Sequence, residues 1–266
     1  TLLIAQVDLA DVARVLERRS TREIVWFSTW QAVASVLLTF VVAAPVTWLV
    51  GRHDFRGRHT LRAISSVGFL LPSIVVSAGF VALLPDAAEA SIFAVLLAHA
   101  YFNVAVVVRV VAPRLESFDA RLVWAARSLG AGAVRAVSSV WWPALRGAVV
   151  SAAAVVFIYC FTSYAVVRTL GGPTRNTLES DIAVRAYAIG DIGGAVVLSL
   201  LQIAVIGTVV VLARAITRGA SAGVRRTRVA LGRVTSMRRV VGVCIGIITA
   251  AAVLAPLFAL ALSSLR

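Results

Sequence analysis

His99 and Asn103 stand four residues apart inside an apolar stretch, a spacing that puts an imidazole and a carboxamide on one face of a helix. Tyr159, Thr162, Ser163 and Tyr164 gather in a second apolar stretch, and Gln202 lies in a third. These are hydrogen-bonding groups with no strong acid or base among them. They suit either the polar lining of a pathway for a small solute or hydrogen bonds between packed helices. Bond-making chemistry finds no support. Cys160 and Cys244 sit in apolar sequence without metal-ligand spacing and read as small packing residues. His99 has no second ligand near it in sequence, so no metal site is expected. Ser, His and Asp combine only as scattered loop residues, and the chain has no G-x-x-x-x-G-K loop for ATP.

The elements that must hold these groups are membrane helices. Hydrophobic residues make up 60% of the chain and charged residues 14%, with a mean hydropathy of +0.94. An ordinary soluble domain has about 45–50% apolar and about 25% charged residues. Six stretches, near 24–50, 63–84, 91–112, 147–168, 194–213 and 240–262, reach the roughly 20 residues that cross a bilayer as a helix. The expected fold class is all-α, a polytopic transmembrane bundle, because lipid offers no partner to open backbone. No carboxylate falls inside any of these stretches. That argues against a proton- or sodium-driven carrier, which relies on buried acids.

The net charge of +14 comes from 26 arginines, with no lysine, against 12 acids. Eighteen of the arginines fall in 51–62, 109–146 and 214–239, whereas nine of the acids, among them Asp86, Glu89, Glu179, Asp181 and Asp191, lie on the other side. The positive-inside bias puts the arginine-rich segments in the cytoplasm. The charge therefore reports topology in a cell (inner) membrane, and no nucleic-acid partner is expected. Residues 1–23 are then external and read as an amphipathic helix, with Leu9, Val12, Val15 and Leu16 recurring among charged residues. Residues 169–193 form an external re-entry region that turns at Gly171-Gly172-Pro173. The stretch 214–239 reads as a solvated cytoplasmic linker near anionic headgroups. An external start at Thr1 without a signal sequence implies a preceding span, with the helix within 240–266 as the start of a further unit; the alternative is a complete protein with its N-terminus outside.

The clearest interruption of the apolar pattern lies between the third and fourth stretches. Asp119 suits a helix N-terminus. Leu122, Ala125, Ala126 and Leu129 then repeat at three and four, with Trp124 beside them and Arg121 and Arg127 pointing elsewhere. Gly130 is a left-handed helix stop. A second helical stretch over 133–141 leads to Pro143, placed for the first turn of the next helix. This pattern predicts a helical elbow lying along the membrane surface, where the small Ala125 and Ala126 let another protein approach closely.

Ala125-Ala126, three residues, Gly130, nine residues, an aliphatic residue, two residues and Pro143 together resemble the EAA loop of type I ABC importer permease subunits. Trp30-Gln31-Ala32, Pro45, the run Arg52 to Arg58, Leu71-Pro72-Ser73 and Leu170-Gly171-Gly172 resemble the iron(III)/thiamine branch of that family. The resemblance covers roughly 24–213. It implies five core helices, a permease domain over 24–213 and a coupling loop over 113–146 that docks into a cleft on an ATP-binding subunit. The docking residues it implies are Asp119, Arg121, Leu122, Trp124, Ala125, Ala126, Arg127, Leu129, Gly130 and Pro143.

The resemblance further implies a pair of ATP-binding subunits, an external substrate-binding protein and a second permease half, fused or separate, with membrane lipid around them. No cofactor is implied in this chain, because ATP and magnesium belong to the partner ATPase, and the chain itself is not expected to be an enzyme. Iron(III) is the first expectation for the cargo and thiamine the second, with other small anions and polyamines open. Two positions depart from the family pattern. Trp124 stands where the family has glutamate and Trp142 where it has leucine, which leaves shape and the arginines to carry docking. The rival classes are a secondary transporter or channel working without ATP, and a membrane enzyme or assembly scaffold. The last would need polar residues clustered at one bilayer face, and co-purification with an ATPase separates both rivals from the importer.

Overall fold

The computed structural model describes residues 15, 17–84, 90–119, 121–172, 175–218, 232–233 and 236–265. Its helices are α1 (Arg19–Arg52), α2 (Arg58–Leu70), α3 (Ser73–Leu83), α4 (Ile92–Glu116), α5 (Arg121–Ser128), α6 (Ala133–Phe161), α7 (Ala165–Leu170), α8 (Leu178–Ala183), α9 (Ile192–Thr217) and α10 (Ser236–Ser263). Of these α1, α4, α6, α9 and α10 are each long and apolar enough to cross a membrane, and the bent pair α2–α3 makes a sixth span if counted as one. The protein is an all-α, multi-pass bundle.

The centre of the bundle is α1, whose 34 residues run about 50 Å at roughly 1.5 Å per residue. Ser28, Gln31, Ala32, Ser35, Thr39 and Ala43 recur along one face of it at helical spacing and are completely buried against α4 and α6. Helices in lipid gain little from hiding apolar surface, so close backbone approach over small residues becomes the main attraction. Two hydroxyls on this face bond back within the helix, Ser28 Oγ donating to the Ile24 carbonyl at 2.8 Å and Thr39 Oγ1 to that of Ser35 at 2.6 Å.

Several boundaries differ from those read in the sequence. Residues 63–84 form two helices bent by 98° and not one continuous helix. Pro72 lacks an N–H and crowds the residue before it, so Leu71 is extended with ψ at 144° and the chain re-aims there. The stretch 147–168 is also interrupted: α6 begins earlier, ends at Phe161, and the chain resumes as α7. At the front, residues 19–23 continue the first spanning helix. Residues 1–14 and 16 of the expected amphipathic helix lie outside the described residues, as do Asp86, Glu89, Pro173 and 219–231 of the arginine-rich linker.

α10 packs on α2, α3 and α1. Gly79 of α3 lies so close that a Cβ there would sit 2.5 Å from the Pro256 carbonyl oxygen. Pro256 also removes a backbone donor from α10, and the Tyr101 hydroxyl of α4 donates to the Val253 carbonyl one turn earlier at 2.8 Å.

The two ends of the bundle differ in charge as the sequence does. At one end β1 (His53–Asp54) pairs in parallel with β2 (Gly232–Arg233), joining the segment after α1 to the linker before α10. At the other, the expected re-entry region folds as α8 followed by a π turn over Val184–Ile189. Arg185 bonds Asp181 at 2.8 Å and Asp191 at 3.0 Å, and Asp191 caps α9 through the Gly194 N–H at 2.9 Å. Burial lowers the Arg185 pKa, but the two carboxylates outweigh it and leave the guanidinium above its ordinary value.

Candidate functional site

The elbow between α4 and α6 forms from local signals. Asp119 Oδ1 accepts from the Arg121 N–H at 2.9 Å, which satisfies a free donor of the first turn of α5. The Arg121 guanidinium closes back on the same carboxylate, and its hydrogen bond is the largest cause holding Asp119 below the usual carboxylate range. Gly130 takes φ +85°, the left-handed region. Its N–H donates to the Arg127 carbonyl at 2.9 Å, and the Ala131 N–H reaches the Ala126 carbonyl at 3.0 Å. That is a Schellman stop, and a side chain at position 130 would be strained in it. The chain restarts at Ala133, widens into a π turn over Val137–Trp141 and continues as α6. Pro143 then follows the wide turn, in the first positions of the regular helix where its missing N–H costs least.

No residue of α5 is buried. Leu122 is 56% exposed, Trp124 67% and Leu129 88%. Apolar side chains fixed in this way on a short, doubly capped helix form a projecting ridge. It stands at the end of the bundle that carries β1 and the arginines. Beneath it, Glu116 of α4 binds Arg58 at 2.6 Å and also Arg62, while Arg58 Nε donates to the Val50 carbonyl of α1 at 2.8 Å. Arg114 Nε donates to the Ala144 carbonyl of α6 at 2.9 Å. The ridge thus rests on a base in which α1, α2, α4 and α6 are cross-linked by polar contacts.

The polar residues of the spans divide into two sets. His99 and Asn103 are buried inside the bundle, where His99 Nδ1 lies 3.0 Å from Ser35 Oγ and Asn103 Nδ2 donates to the His99 carbonyl at 2.8 Å and to Cys160 Sγ at 3.5 Å. Gln202 is buried too, donating to Glu179 at 2.6 Å. Thr162 Oγ1 bonds back to the Ile158 carbonyl at the break after α6, with Ser163 beside it. Tyr159 and Tyr164, in contrast, are exposed on the bundle surface, and Tyr159 meets Phe69 edge-on at 5.7 Å. The structure therefore does not bring the seven together into one lining.

Residues 43–221 match the family described as binding-protein-dependent transport system inner membrane component, and this range includes the whole elbow. The chain belongs to this family. As a permease it is similar to the thiamine transport system permease protein ThiP of Salmonella typhimurium, 28% identical over 222 residues that cover 77% of this chain and 41% of the relative. ThiP of Escherichia coli is 28% identical over 217 residues, covering 75% and 40%. The spermidine/putrescine transport system permease protein PotC of Haemophilus influenzae is 30% identical over 128 residues, 45% of this chain and 50% of the relative. The chain thus spans about two-fifths of the length of the thiamine permeases it matches.

Sequence reasoning missed part of the permease's framework. Arg58, Arg62 and Glu116 carried one available signal, two arginines four apart at a helix start and one of only three acids on an arginine-rich side. Gln31 carried another, a carboxamide in the middle of a long apolar run. Its Nε2 donates to the Cys160 carbonyl at 2.9 Å, one of the last carbonyls of α6. Ser28, one turn earlier, accepts from the Leu178 N–H at 2.8 Å, the first donor of α8. The polar face of α1 thereby caps two broken helix ends inside the bundle.

Proposed function

We propose that this permease chain is the membrane-spanning half of an ATP-driven, binding-protein-dependent importer, and that the loop 113–146 is its coupling segment. The observation that carries this reading is α5, a capped helix with every residue outside the core, raised on a cross-linked base at the arginine-bearing end. In this reading that end faces the cytoplasm, and Leu122, Trp124, Ala125, Ala126 and Leu129 enter a cleft on an ATP-binding subunit, with Arg121 and Arg127 at its rim. Closure of two such subunits on ATP moves α5 about Gly130. The long helices pass that displacement on and exchange an outward for an inward opening, a two-state change biased by nucleotide. ATP and magnesium sit on the partner, and this chain supplies no catalytic group.

Thiamine takes first place over iron(III) as cargo, because relatives spanning three-quarters of this chain are thiamine permeases. Exposed Tyr159 and Tyr164 are assigned to the face that meets the second permease half, with the buried His99, Asn103 and Gln202 holding the bundle together. The test is Gly130→Pro and Gly130→Trp in the full-length transporter. Proline cannot take φ +85° and removes the N–H that bonds Arg127. Tryptophan enters open space but strains the backbone. Both variants should insert in the membrane yet lose thiamine uptake and its coupling to ATP hydrolysis. Normal uptake by both overturns the role given to this loop.

A further inference from the structure

Arg52, the last residue of α1, joins three segments that the sequence keeps far apart. Its Nη1 donates to the Phe118 carbonyl at 2.9 Å and to the Leu115 carbonyl at 3.2 Å, both at the C-terminal end of α4. A guanidinium there adds a donor to carbonyls of the helix end and meets the negative end of the helix dipole. The same group lies 5.6 Å from the centre of the Phe118 ring and 5.5 Å from that of Trp141, within cation–π reach of both. Trp141, from the π turn, stacks on Trp48 of α1 at 5.1 Å and tilts against Phe118 at 4.7 Å. Trp48 and Arg52 are one helical turn apart and so share a face of α1.

Phe118 is the residue before the Asp119 cap of α5, and Trp141 ends the π turn on the far side of the elbow. Both feet of the elbow are therefore held against the end of one helix by a single cation and three rings. The fit at that level is tight: a Cβ at Gly51 would sit 2.7 Å from Leu115 Cβ. α1 in turn packs along α4 and α6. A push on α5 cannot shift either foot without moving the end of α1 or breaking the stack.

We propose that Arg52, with Trp48, Phe118 and Trp141, is the joint that passes displacement of the elbow into the membrane helices, Arg52 acting as a positioning residue. The proposal rests on the reading of α5 as a coupling helix. Methionine at position 52 keeps the length of the side chain but removes the charge and the donors. Lysine keeps the charge but loses the planar fork that serves two carbonyls and two rings at once.

The experiment uses the full-length transporter with its ATP-binding subunits in proteoliposomes and thiamine as the cargo. It measures thiamine moved per ATP hydrolysed, ATP-binding subunit retained on purification, and hydrogen exchange over 113–146. For Arg52→Met the expected result is about a tenfold loss of thiamine moved per ATP, with subunit retention and basal hydrolysis unchanged and faster exchange at both feet. Arg52→Lys should fall between Arg52→Met and the parent. If Arg52→Met does not accumulate, Trp141→Leu is read in the same assays with the same expectation. Unchanged thiamine per ATP despite faster exchange overturns the joint. Loss of the ATP-binding subunit also overturns it, because Arg52 would then belong to the docking surface. Failure of the underlying reading shows differently, as a Gly130→Pro transporter with normal coupling.

Discussion

Replacing Gln31 by methionine should destabilise the bundle by about 1–2 kcal/mol, although glutamine is a polar residue in an apolar helix. Gln31 Nε2 bonds the Cys160 carbonyl of α6 at 2.9 Å and the Ser28 carbonyl of its own helix at 3.2 Å. The Cys160 carbonyl lies at the end of α6, past the helix's own donors, and in the bundle interior it has no water to turn to. Interhelical hydrogen bonds in membranes contribute about 0.6–2 kcal/mol, and an orphaned buried acceptor costs about 1–3 kcal/mol. Against this, Gln31 Oε1 has no partner among the described residues, and methionine relieves that deficit. Methionine is close in length and keeps the packing volume, so little is lost to a cavity. The net figure corresponds to about a 5–30-fold change in the folding equilibrium. Unfolding of the purified full chain in mixed micelles, with Val33→Met on the exposed side of α1 as control, reads the difference. A Gln31→Met protein as stable as the control would refute the capping role.

Gly79→Val should push α10 off α3, since its Cβ meets the Pro256 backbone and no flexible side chain can yield. Overpacking of this kind costs about 1–3 kcal/mol and should show as faster proteolysis within 214–239, and an unchanged digestion rate would contradict the close crossing. Acid sensitivity at the opposite end should depend on Asp191, whose carboxyl is held below the usual range first by the Gly194 N–H and then by Arg185. A lowered folded pKa means that this contribution is present above the unfolded value near about 4 and disappears as pH falls through the folded one. Thermal stability measured from neutral pH into that acid window should therefore fall more for the parent than for Asp191→Asn, and superimposable profiles would count against the Arg185–Asp191 contact.

How much was legible follows the range of the interactions involved. α5 was readable from beginning to end because Asp119, the three-and-four repeat and Gly130 all act within a few residues. The bend at Pro72 was also written locally, but the apolar run on both sides masks it when length alone decides a span. The break after Phe161 carries no proline or glycine at all. It is held by Gln31, 129 positions away, and by the back-bond of Thr162, so no window of sequence around it announces it. His99 and Asn103 shared a face as their spacing requires, yet only the tertiary fold pairs them with Ser35 and Cys160. The Arg52 stack belongs to the same class, since its rings come from positions 48, 118 and 141.

In the function proposed above, α5 touches an ATP-binding subunit. Single cysteines at Leu129 and, separately, Trp124, introduced in the full-length transporter with Cys244→Ser, place a cross-linker on the exposed ridge, while buried Cys160 stays in place. In native membranes the adduct should contain a protein whose peptides include a G-x-x-x-x-G-K phosphate loop, and its yield should change when ATP is added. Adducts that form only with lipid or other permease chains, at both positions and in both nucleotide states, would contradict docking of α5 on an ATP-binding subunit.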